Sequence, residues 1–487
     1  MISVLDDGLF NVVSIDGSRR KVGLREVLVN AHKYSDLCGR TPTGRLALLR
    51  LCVAFLEDIY RPKTIEDRMD LLESCRFSKD RIEAYCADCE AGGPVFYLDD
   101  QKRPFMQMPY DAVLDERAEK PAAAIFMDVP SGNAHAHTDH RRMEEVIADA
   151  SEALEGILET YLFCTAGTQG PSSVNNTPPM YCVLRGRTLF ETLVLNMVAA
   201  DELANNIPFG EGCVPWRREM VIQPKESVPV ISFLEALTWQ PRRITLTFDE
   251  DHLVHRVYLQ AGRNFVGDER WRDPWVPYQK RKDGSDGSIK PRLGRQLWRD
   301  AGNILLAKKN GSIEPVPIAN AEYVWRDIPN GILPIEGIGL ITDQASVLGL
   351  THEVLRIPEV LVQDDLRVGW FGKWIEMAEE MYSVSTKIIA TEYSQTVARF
   401  VGEHFLGQMR NEIFGASLER LISVTDAEEM TEAQRAFGDA LLRALRDSLR
   451  DKLENSGSSV TNMKRQNAAE GKTMGYCIRR LKEEGMR

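Results

Sequence analysis

The C-terminal quarter of this 487-residue chain contains no proline, the last one being Pro358. A proline inside a helix removes a backbone hydrogen bond and clashes with the preceding turn, so a long proline-free run favours long helices. Apolar side chains recur at helical spacing, most clearly at Phe437, Leu441, Leu442, Leu445 and Leu449. With breaks near 391, 424–426 and 455–459, the pattern predicts an antiparallel four-helix bundle over 365–487. Its helices are expected at about 366–391, 393–423, 429–455 and 460–485.

The first three quarters of the chain have a different pattern, in which short apolar runs alternate with turn residues. Residues 10–15 alternate in the manner of a strand, and 243–248 and 254–259 flank an Asp-Glu-Asp turn and predict a β-hairpin. Residues 44–60 carry apolar side chains at helical spacing, with Thr43 as the expected cap. The expected fold class is therefore α+β, with a large mixed α/β N-terminal domain over 1–364 followed by the bundle.

The charge of the chain limits how it can meet nucleic acid. Its formal net charge is −12, so any contact with DNA must be local. An ordinary solvated surface also contains charge runs, but one Gly-rich basic segment is a candidate for binding phosphates. Its cations are Lys280, Arg281, Lys282, Lys290, Arg292 and Arg295. Since the chain has neither a signal pattern nor a run of about eighteen apolar residues, we expect a cytoplasmic protein without membrane contact.

Signatures of catalysis are few. No GxGxxG follows a predicted strand, and no GxxxxGK(S/T) or GxSxG segment occurs. The segment His135-Ala136-His137-Thr138-Asp139-His140 could hold a metal ion through imidazole and carboxylate groups. Its surroundings favour a loop without an HExxH motif, so a metal-dependent phosphodiesterase is the alternative function. Cys86 and Cys89 form a CxxC without a second pair, which is a weak zinc signal.

Four short motifs, in order along the chain, resemble those of a known family. They are Pro104-Phe105-Met106-Gln107, Arg185-Gly186 leading into Leu193-Val194-Leu195-Asn196, Trp239-Gln240-Pro241 and Thr342-Asp343-Gln344-Ala345-Ser346-Val347-Leu348. With the helical C-terminal quarter, they resemble the large subunit of type I-E CRISPR Cascade, the CasA family. The resemblance implies a non-catalytic DNA-recognition subunit without a cofactor. The implied partners are double-stranded target DNA, the crRNA, the other Cascade subunits and a recruited helicase-nuclease.

The resemblance also implies a wedge at Gln344, flanked by Asp343 and Ala345. In the family this wedge enters the duplex beside the protospacer-adjacent motif (PAM), and opening one step costs roughly a few kcal/mol, as it does for other inserted wedges. The sequence pattern predicts that the segment leads from a loop into a helix. A helix cap at Thr342 or Asp343, with Gln344 as a solvated first-turn residue, explains the same residues without DNA.

Further contacts are implied at three places. Arg263 matches a basic residue that reaches the minor groove at the PAM, although an exposed turn arginine has the same appearance. The loop Ser172-Ser173-Val174-Asn175 stands where the family has glycines against the minor groove, so its PAM preference is expected to differ. Phe126-Met127-Asp128 opens a loop toward the crRNA handle. A purely structural assembly subunit, the other alternative, would need neither Gln344 nor Arg263.

Overall fold

A computed structural model gives the fold of the chain. It describes residues 1–487 except 130–145, 166–173, 176, 204–206, 220–221, 224–225, 230–231, 266–270, 282, 306–312, 326–327, 344–345 and 454–458. Helices and strands both contribute, and the long helices lie at the C-terminal end, which confirms the predicted α+β class. Over the described residues, no helix is long and apolar enough to cross a membrane.

The helices include several of a single turn in the first part of the chain and five of ten residues or more after residue 364. In chain order they are α1 (Leu24–Val29), α2 (Pro42–Tyr60), α3 (Ile65–Glu73), α4 (Lys79–Glu90), α5 (Ala112–Asp115), α6 (Ala150–Phe163), α7 (Leu189–Leu195), α8 (Phe233–Leu237), α9 (Ala301–Leu305), α10 (Val316–Ala319), α11 (Ala321–Val324), α12 (Glu359–Gln363), α13 (Asp365–Glu392), α14 (Gln395–Gln408), α15 (Phe414–Ser423), α16 (Ala427–Leu453) and α17 (Val460–Glu483).

The strands all precede α12. In chain order they are β1 (Phe10–Ser14), β2 (Arg19–Val22), β3 (Tyr34–Cys38), β4 (Glu119–Pro121), β5 (Tyr181–Leu184), β6 (Ser227–Val228), β7 (Arg242–Phe248), β8 (Val254–Ala261), β9 (Asn264–Phe265), β10 (Tyr278–Lys280), β11 (Asp286–Ser288), β12 (Ile332–Asp343) and β13 (Ser346–Pro358). They form three-stranded sheets in the orders β2-β1-β3, β4-β8-β7 and β13-β12-β5, and the pairs β10-β11 and β6-β9.

The chain divides into two compact units, each of which is discontinuous. The first comprises Met1–Leu293 and Gly311–Arg356, and the second comprises Gly294–Asn310 and Ile357–Arg487. The sequence pattern placed a single boundary after residue 364 and did not separate 294–310 from its neighbours. That short segment groups with the helices because of contacts that are distant in sequence: the ring of Trp298 lies 5.7 Å from that of Phe414.

In the first unit, α2 forms the centre of the hydrophobic core. Every residue from Thr43 to Ile59 is buried, which explains why apolar side chains occupy more than one face of this helix. The prediction of Thr43 as its cap is wrong. The hydroxyl of Thr41 accepts the backbone N–H of Gly44 at 2.9 Å, and Pro42 occupies the first turn, where its missing N–H costs nothing.

The predicted β-hairpin in the first unit is confirmed. β7 and β8 pair in antiparallel register, with Ile244 opposite Leu259 and Leu246 opposite Val257. All four side chains are buried, and Arg243 and Thr245 on the other face of β7 are buried as well.

In the second unit, α13, α14, α16 and α17 form the bundle. α13 packs against α14 and α17, and α16 packs against the same two helices. Lys472 pairs with Glu392, whereas Arg480 pairs with Glu380, so α13 and α17 run in opposite directions. The second predicted helix is divided, because a π-helical turn at Met409–Ile413 joins α14 to α15.

Candidate nucleic-acid interface

The segment 342–348 lies at the end of a β-hairpin in the first unit. β12 ends at Asp343, its hydrogen-bonded neighbour β13 begins at Ser346, and a two-residue connection joins only antiparallel strands. The predicted entry into a helix is therefore wrong, since the leucine and β-branched residues after 345 continue as a strand to Pro358. Asp343 is exposed, whereas Gln344 and Ala345 lie outside the described residues.

A buried charge network holds the root of this hairpin. Glu336 on β12 is 1% exposed, and it accepts a hydrogen bond from Arg45 of α2. Its Oε1 lies 2.5 Å from Nε2 of His352 on β13. Arg45 also donates to Asp36 at 2.8 Å, and Arg185 donates to the same carboxylate at 2.7 Å. The network therefore ties both strands of the hairpin to the core helix and to the sheet that contains β3.

The ionisation of Glu336 reflects these contacts. Burial acts to raise its pKa, but the charge and hydrogen bond of Arg45, reinforced by His352, outweigh burial and lower the pKa. Glu336 is therefore ionised at neutral pH. A buried carboxylate with these partners is expensive to separate from them, so the root of the hairpin is fixed.

Three of the six candidate cations form an exposed cluster. Arg281, Lys290 and Arg292 are all exposed, and within the described part of the chain none of them has a salt bridge. Partial desolvation lowers the pKa of Lys290, and the positive charges of Arg281 and Arg292 lower it further. These like charges lie close together and form no salt bridge within the described residues, although Arg281 has an exposed carboxylate nearby: hydrogen bonds from Ser285, and then the charge of Arg281, lower the pKa of Asp283. This arrangement suits a polyanion such as the DNA backbone.

The other three candidate cations differ from this cluster. Lys280 on β10 pairs with Asp286 of β11 at 2.6 Å, because the two residues are opposite each other in the strand register. Arg295, in the second unit, pairs with Asp300 at 2.8 Å. Lys282 lies outside the described residues. Neither of the two described cations is free to bind phosphate without giving up its carboxylate.

A close contact places the cluster beside the hairpin. A methyl group on Gly339 of β12 would lie 2.3 Å from Cγ of Pro291, closer than real atoms approach. Pro291 therefore packs directly on the backbone of β12, and its two chain neighbours are Lys290 and Arg292. The carbonyl of Ile289 accepts the N–H of Met180, next to β5, at 2.8 Å, which fixes the same segment at the other side.

The loop proposed for the minor groove is anchored beside the same sheet. Val174 is buried, and the amide of Asn175 donates to the hydroxyl of Tyr181 and to Oδ2 of Asp273, both at 2.9 Å. Ser172-Ser173 lies outside the described residues. The structure thus gives Val174 and Asn175 an anchoring contact within the protein.

Arg263 is held by contacts within the first unit. Its guanidinium donates to Glu235 at 2.7 Å and stands 4.4 Å above the ring of Trp239. Arg218 donates to the same carboxylate oxygen at 2.7 Å. The Arg263 side chain is only 11% exposed, so a DNA contact would require it to leave or share these partners.

The residues at the start of the loop for which the resemblance implies a crRNA-handle contact are held by α6 and by the segment before α2. Phe126 is buried, Met127 packs against the core, and Asp128 accepts a hydrogen bond from Arg40 at 2.5 Å. The Arg40 guanidinium also stands 4.3 Å above the ring of Phe126. These contacts fix the start of the loop, while residues 130–145 lie outside the described residues.

Comparison with known proteins identifies the family. The sequence profile described as CRISPR-associated protein Cse1 matches residues 5–451. The chain belongs to the Cse1 family. The resemblance to the large subunit of type I-E CRISPR Cascade, also named CasA, is thereby confirmed.

One curated relative is similar in sequence over most of the chain, and solved structures share its fold. CasA/Cse1 of Thermus thermophilus is 26% identical over 403 residues, which cover 80% of this chain and 77% of that protein. The structure of Cse1 from Acidimicrobium ferrooxidans has a TM-score of 0.78 at 20% identity, covering 100% of this chain and 99% of that one. A chain from a CRISPR RNA-guided surveillance complex has a TM-score of 0.77 at 17% identity, with 98% and 99% covered. At such identities the solved structures show a shared fold.

The contact between Pro291 and Gly339 in this Cse1-family chain was not predicted. A glycine inside a strand often marks the close approach of another backbone, and Gly337-Ile338-Gly339 contains two of them. That signal could have suggested the contact, although not its partner. Nothing in the local sequence of Asp36 or Arg45 indicates the network at Glu336.

The metal alternative for this Cse1-family chain is not tested by the described residues. They contain no group of three or more His, Cys, Asp and Glu side chains that could hold a metal ion, and His135–His140 lies outside them. Cys86 and Cys89 are free thiols on α4. Burial raises the pKa of each to about 11, so both are protonated at neutral pH.

Proposed function

We propose that this protein captures double-stranded DNA beside the PAM and opens it, as the non-catalytic large subunit of a type I-E Cascade complex. The observation that carries the proposal is the contact of Pro291 with Gly339, which places Lys290 and Arg292 beside the β12–β13 hairpin, with Arg281 close enough to Lys290 to lower its pKa. Cations that form no salt bridge within the described residues can bind phosphates without first breaking an internal ion pair. The hairpin is then the element that enters the duplex.

Distances along the hairpin support this division of labour. Asp343 follows Gly339 by about 13 Å of strand. Cations beside Gly339 would therefore meet phosphates within about 13 Å of the step that the tip enters. Gln344 would occupy the space of the displaced base pair, with Asp343 and Ala345 beside it. The buried network at Glu336 would hold the base of the hairpin in place while its tip separates the base pairs.

Recognition of the PAM is proposed for two other places. The loop Ser172-Ser173-Val174-Asn175 would approach the minor groove from its anchor, and the groove distinguishes mainly A·T from G·C. Arg263 would reach the same groove, where negative potential is focused, by exchanging its bond to Glu235 for DNA. Side chains in place of glycines would hold the loop backbone farther from the bases. We therefore expect the PAM preference of this protein to differ from that of family members with a glycine loop.

Further partners follow from the same proposal. A related chain belongs to a CRISPR RNA-guided surveillance complex, so we infer that this protein binds crRNA and the other Cascade subunits. Phe126-Met127-Asp128 would begin the loop that meets the crRNA handle. Sequence specificity beyond the PAM would come from base pairing with crRNA, and a helicase-nuclease would be recruited afterward in the cytoplasm.

The test compares reconstituted complexes in binding a PAM-bearing duplex. The variants are the triple change Arg281→Ala, Lys290→Ala and Arg292→Ala, the wedge change Gln344→Ala, and the control Lys280→Ala, whose cation is already paired. Gel retardation measures capture, and permanganate footprinting measures strand opening. We expect the triple variant to bind about tenfold to a hundredfold more weakly, because three phosphate contacts are lost.

The wedge variant should retain capture and lose opening, and the Lys280 control should resemble wild type. If the triple variant captures and opens DNA as wild type does while the complex assembles normally, the protein is an assembly subunit and the proposal fails.

A further inference from the structure

Two exposed apolar side chains lie near the start of β13, after Ser346. Leu348 is 54% exposed and Val347 is 36% exposed. Leu350, two residues farther along β13, is partly buried against the hydrophobic core of the first unit. The apolar surface of the hairpin therefore continues beyond the core toward the tip, where the described part of the protein leaves it open to solvent.

The position of the two side chains on the strand is informative. Consecutive residues of a β-strand project from opposite faces, so Val347 and Leu348 make both faces of the hairpin apolar near its tip. A hairpin that only packs on a protein surface needs one apolar face. Single exposed apolar residues are common on proteins, but here two of them follow three and four residues after Gln344, the residue expected to enter the duplex. An opened base-pair step also has two apolar faces, one on each side of the gap.

We propose that Leu348 and Val347 are positioning residues that stack on the bases bordering the opened step and hold it open. Apolar side chains inserted between base steps unstack duplexes in several DNA-binding proteins. The occupant is double-stranded DNA, because the exposed cations Arg281, Lys290 and Arg292 supply the complementary charge beside the same hairpin.

In this arrangement the apolar pair replaces the stacking that opening removes. The inference rests on the proposed function and goes beyond it, since capture of the duplex needs neither apolar side chain.

The test uses the reconstituted complex and a duplex with 2-aminopurine at the first position beside the PAM. Its fluorescence rises when the neighbouring base unstacks. Leu348→Ala should reduce the opened fraction about threefold to tenfold, because part of the burial of a leucine side chain is lost. Val347→Ala should have a smaller effect, since Val347 is less exposed in the free protein. Leu348→Met, which keeps the apolar volume, should restore opening.

Two comparisons separate stacking from other causes. Val113→Ala removes an apolar side chain that is 91% exposed elsewhere in the first unit, so it should leave opening unchanged. With a duplex that is already mismatched at the first step, Leu348→Ala and wild type should give the same opened fraction. Gel retardation should show capture of the matched duplex within about twofold of wild type for every apolar variant, because no phosphate contact changes.

An opened fraction that neither Leu348→Ala nor Val347→Ala changes would overturn the inference. Capture that falls in parallel with opening would also overturn it, because the side chains would then act in docking. Both results can be told apart from failure of the proposed function, in which the triple cation variant would capture DNA normally. Thermal unfolding of the purified variants confirms that the fold is retained.

Discussion

At the scale of single residues, Glu155 connects the protein interior to the loop expected at the crRNA handle. It is buried on α6, where Oε1 accepts the N–H groups of Arg40 at 2.6 Å and Thr41 at 3.3 Å. Burial, opposed by the bond from Arg40 and reinforced by the negative charge of Glu159, raises the pKa of Glu155 to about 7. Because Arg40 also holds Asp128, the charge of this carboxyl acts where the loop begins.

The raised pKa predicts a pH-dependent loss of stability. The folded protein holds the Glu155 proton more tightly than the unfolded chain, whose pKa is near 4.5, so the free energy of unfolding falls as pH rises from about 4.5 through about 7. Between pH 5 and pH 8 we expect the wild-type free energy of unfolding to fall by about 1 to 3 kcal/mol through Glu155. Glu155→Gln keeps an accepting oxygen but does not titrate, so this fall should be absent from the variant. Urea unfolding at both pH values measures it. Glu250→Gln, at an exposed turn, is the control, and equal losses in all three proteins would contradict the prediction.

Residue types and spacings predicted candidates, but not which of them would be paired within the protein. Lys280 and Arg281 are neighbours in a basic run, yet Lys280 is paired because β10 and β11 bring Asp286 opposite it. Arg263 is likewise held by Glu235, 28 residues away in sequence. Pairing of this kind depends on strand register and helix packing, which a local pattern of charges does not contain.

At the scale of elements, the hairpin offers two glycines with contrasting surroundings. A methyl group on Gly339 would collide with Pro291, whereas one on Gly349, in the adjacent strand, would meet nothing within 4 Å. The first position fixes the segment that carries Lys290 and Arg292. The second is in the same hairpin but holds no neighbouring segment.

Gly339→Ala should therefore weaken capture of DNA without removing any charge. The added methyl group must displace Pro291 and the cations beside it, so we expect binding of the duplex to fall by about threefold to tenfold, less than when phosphate contacts are deleted. Gel retardation with the reconstituted complex measures the effect. Gly349→Ala is the matched control and should bind as wild type does. A similar loss in both variants would show that the hairpin itself, rather than the contact with Pro291, had been disturbed.

Elements with a strong local signal were predicted well. The long C-terminal helices begin and end within a few residues of the expected positions, because helical periodicity and the absence of proline act locally. The segment after Gln344 was assigned to a helix and is a strand, since β13 is specified by its pairing with β12. The cap of α2 was misplaced by two residues because Thr41 and Thr43 are both suitable residue types.

At the scale of the whole molecule, the net charge of −12 and the local cluster act in opposite directions on DNA. When binding depends on a few phosphate contacts, the logarithm of the binding constant falls linearly with the logarithm of the salt concentration. Arg281→Ala should make that slope shallower by about 0.9, the contribution of one phosphate contact. Titrations of the reconstituted complex between about 50 and 200 mM salt measure it. Lys280→Ala should leave the slope unchanged, and the same slope for wild type and Arg281→Ala would contradict the role of the cluster.

The discontinuity of the two units has a consequence for the order in which the protein is made. Residues 294–310 are synthesised before the helices with which they form the second unit. Trp298 is 2% exposed in the folded protein, but its contact with Phe414 cannot form until Phe414 has been synthesised. At about 5 to 20 residues per second, that interval of roughly 120 residues lasts about 6 to 24 seconds. During this time Trp298 lacks the ring of Phe414, and β13, the last strand of the first unit, has still to be synthesised. The second unit therefore cannot fold from the C-terminal helices alone. One of its segments is synthesised before the last part of the first unit.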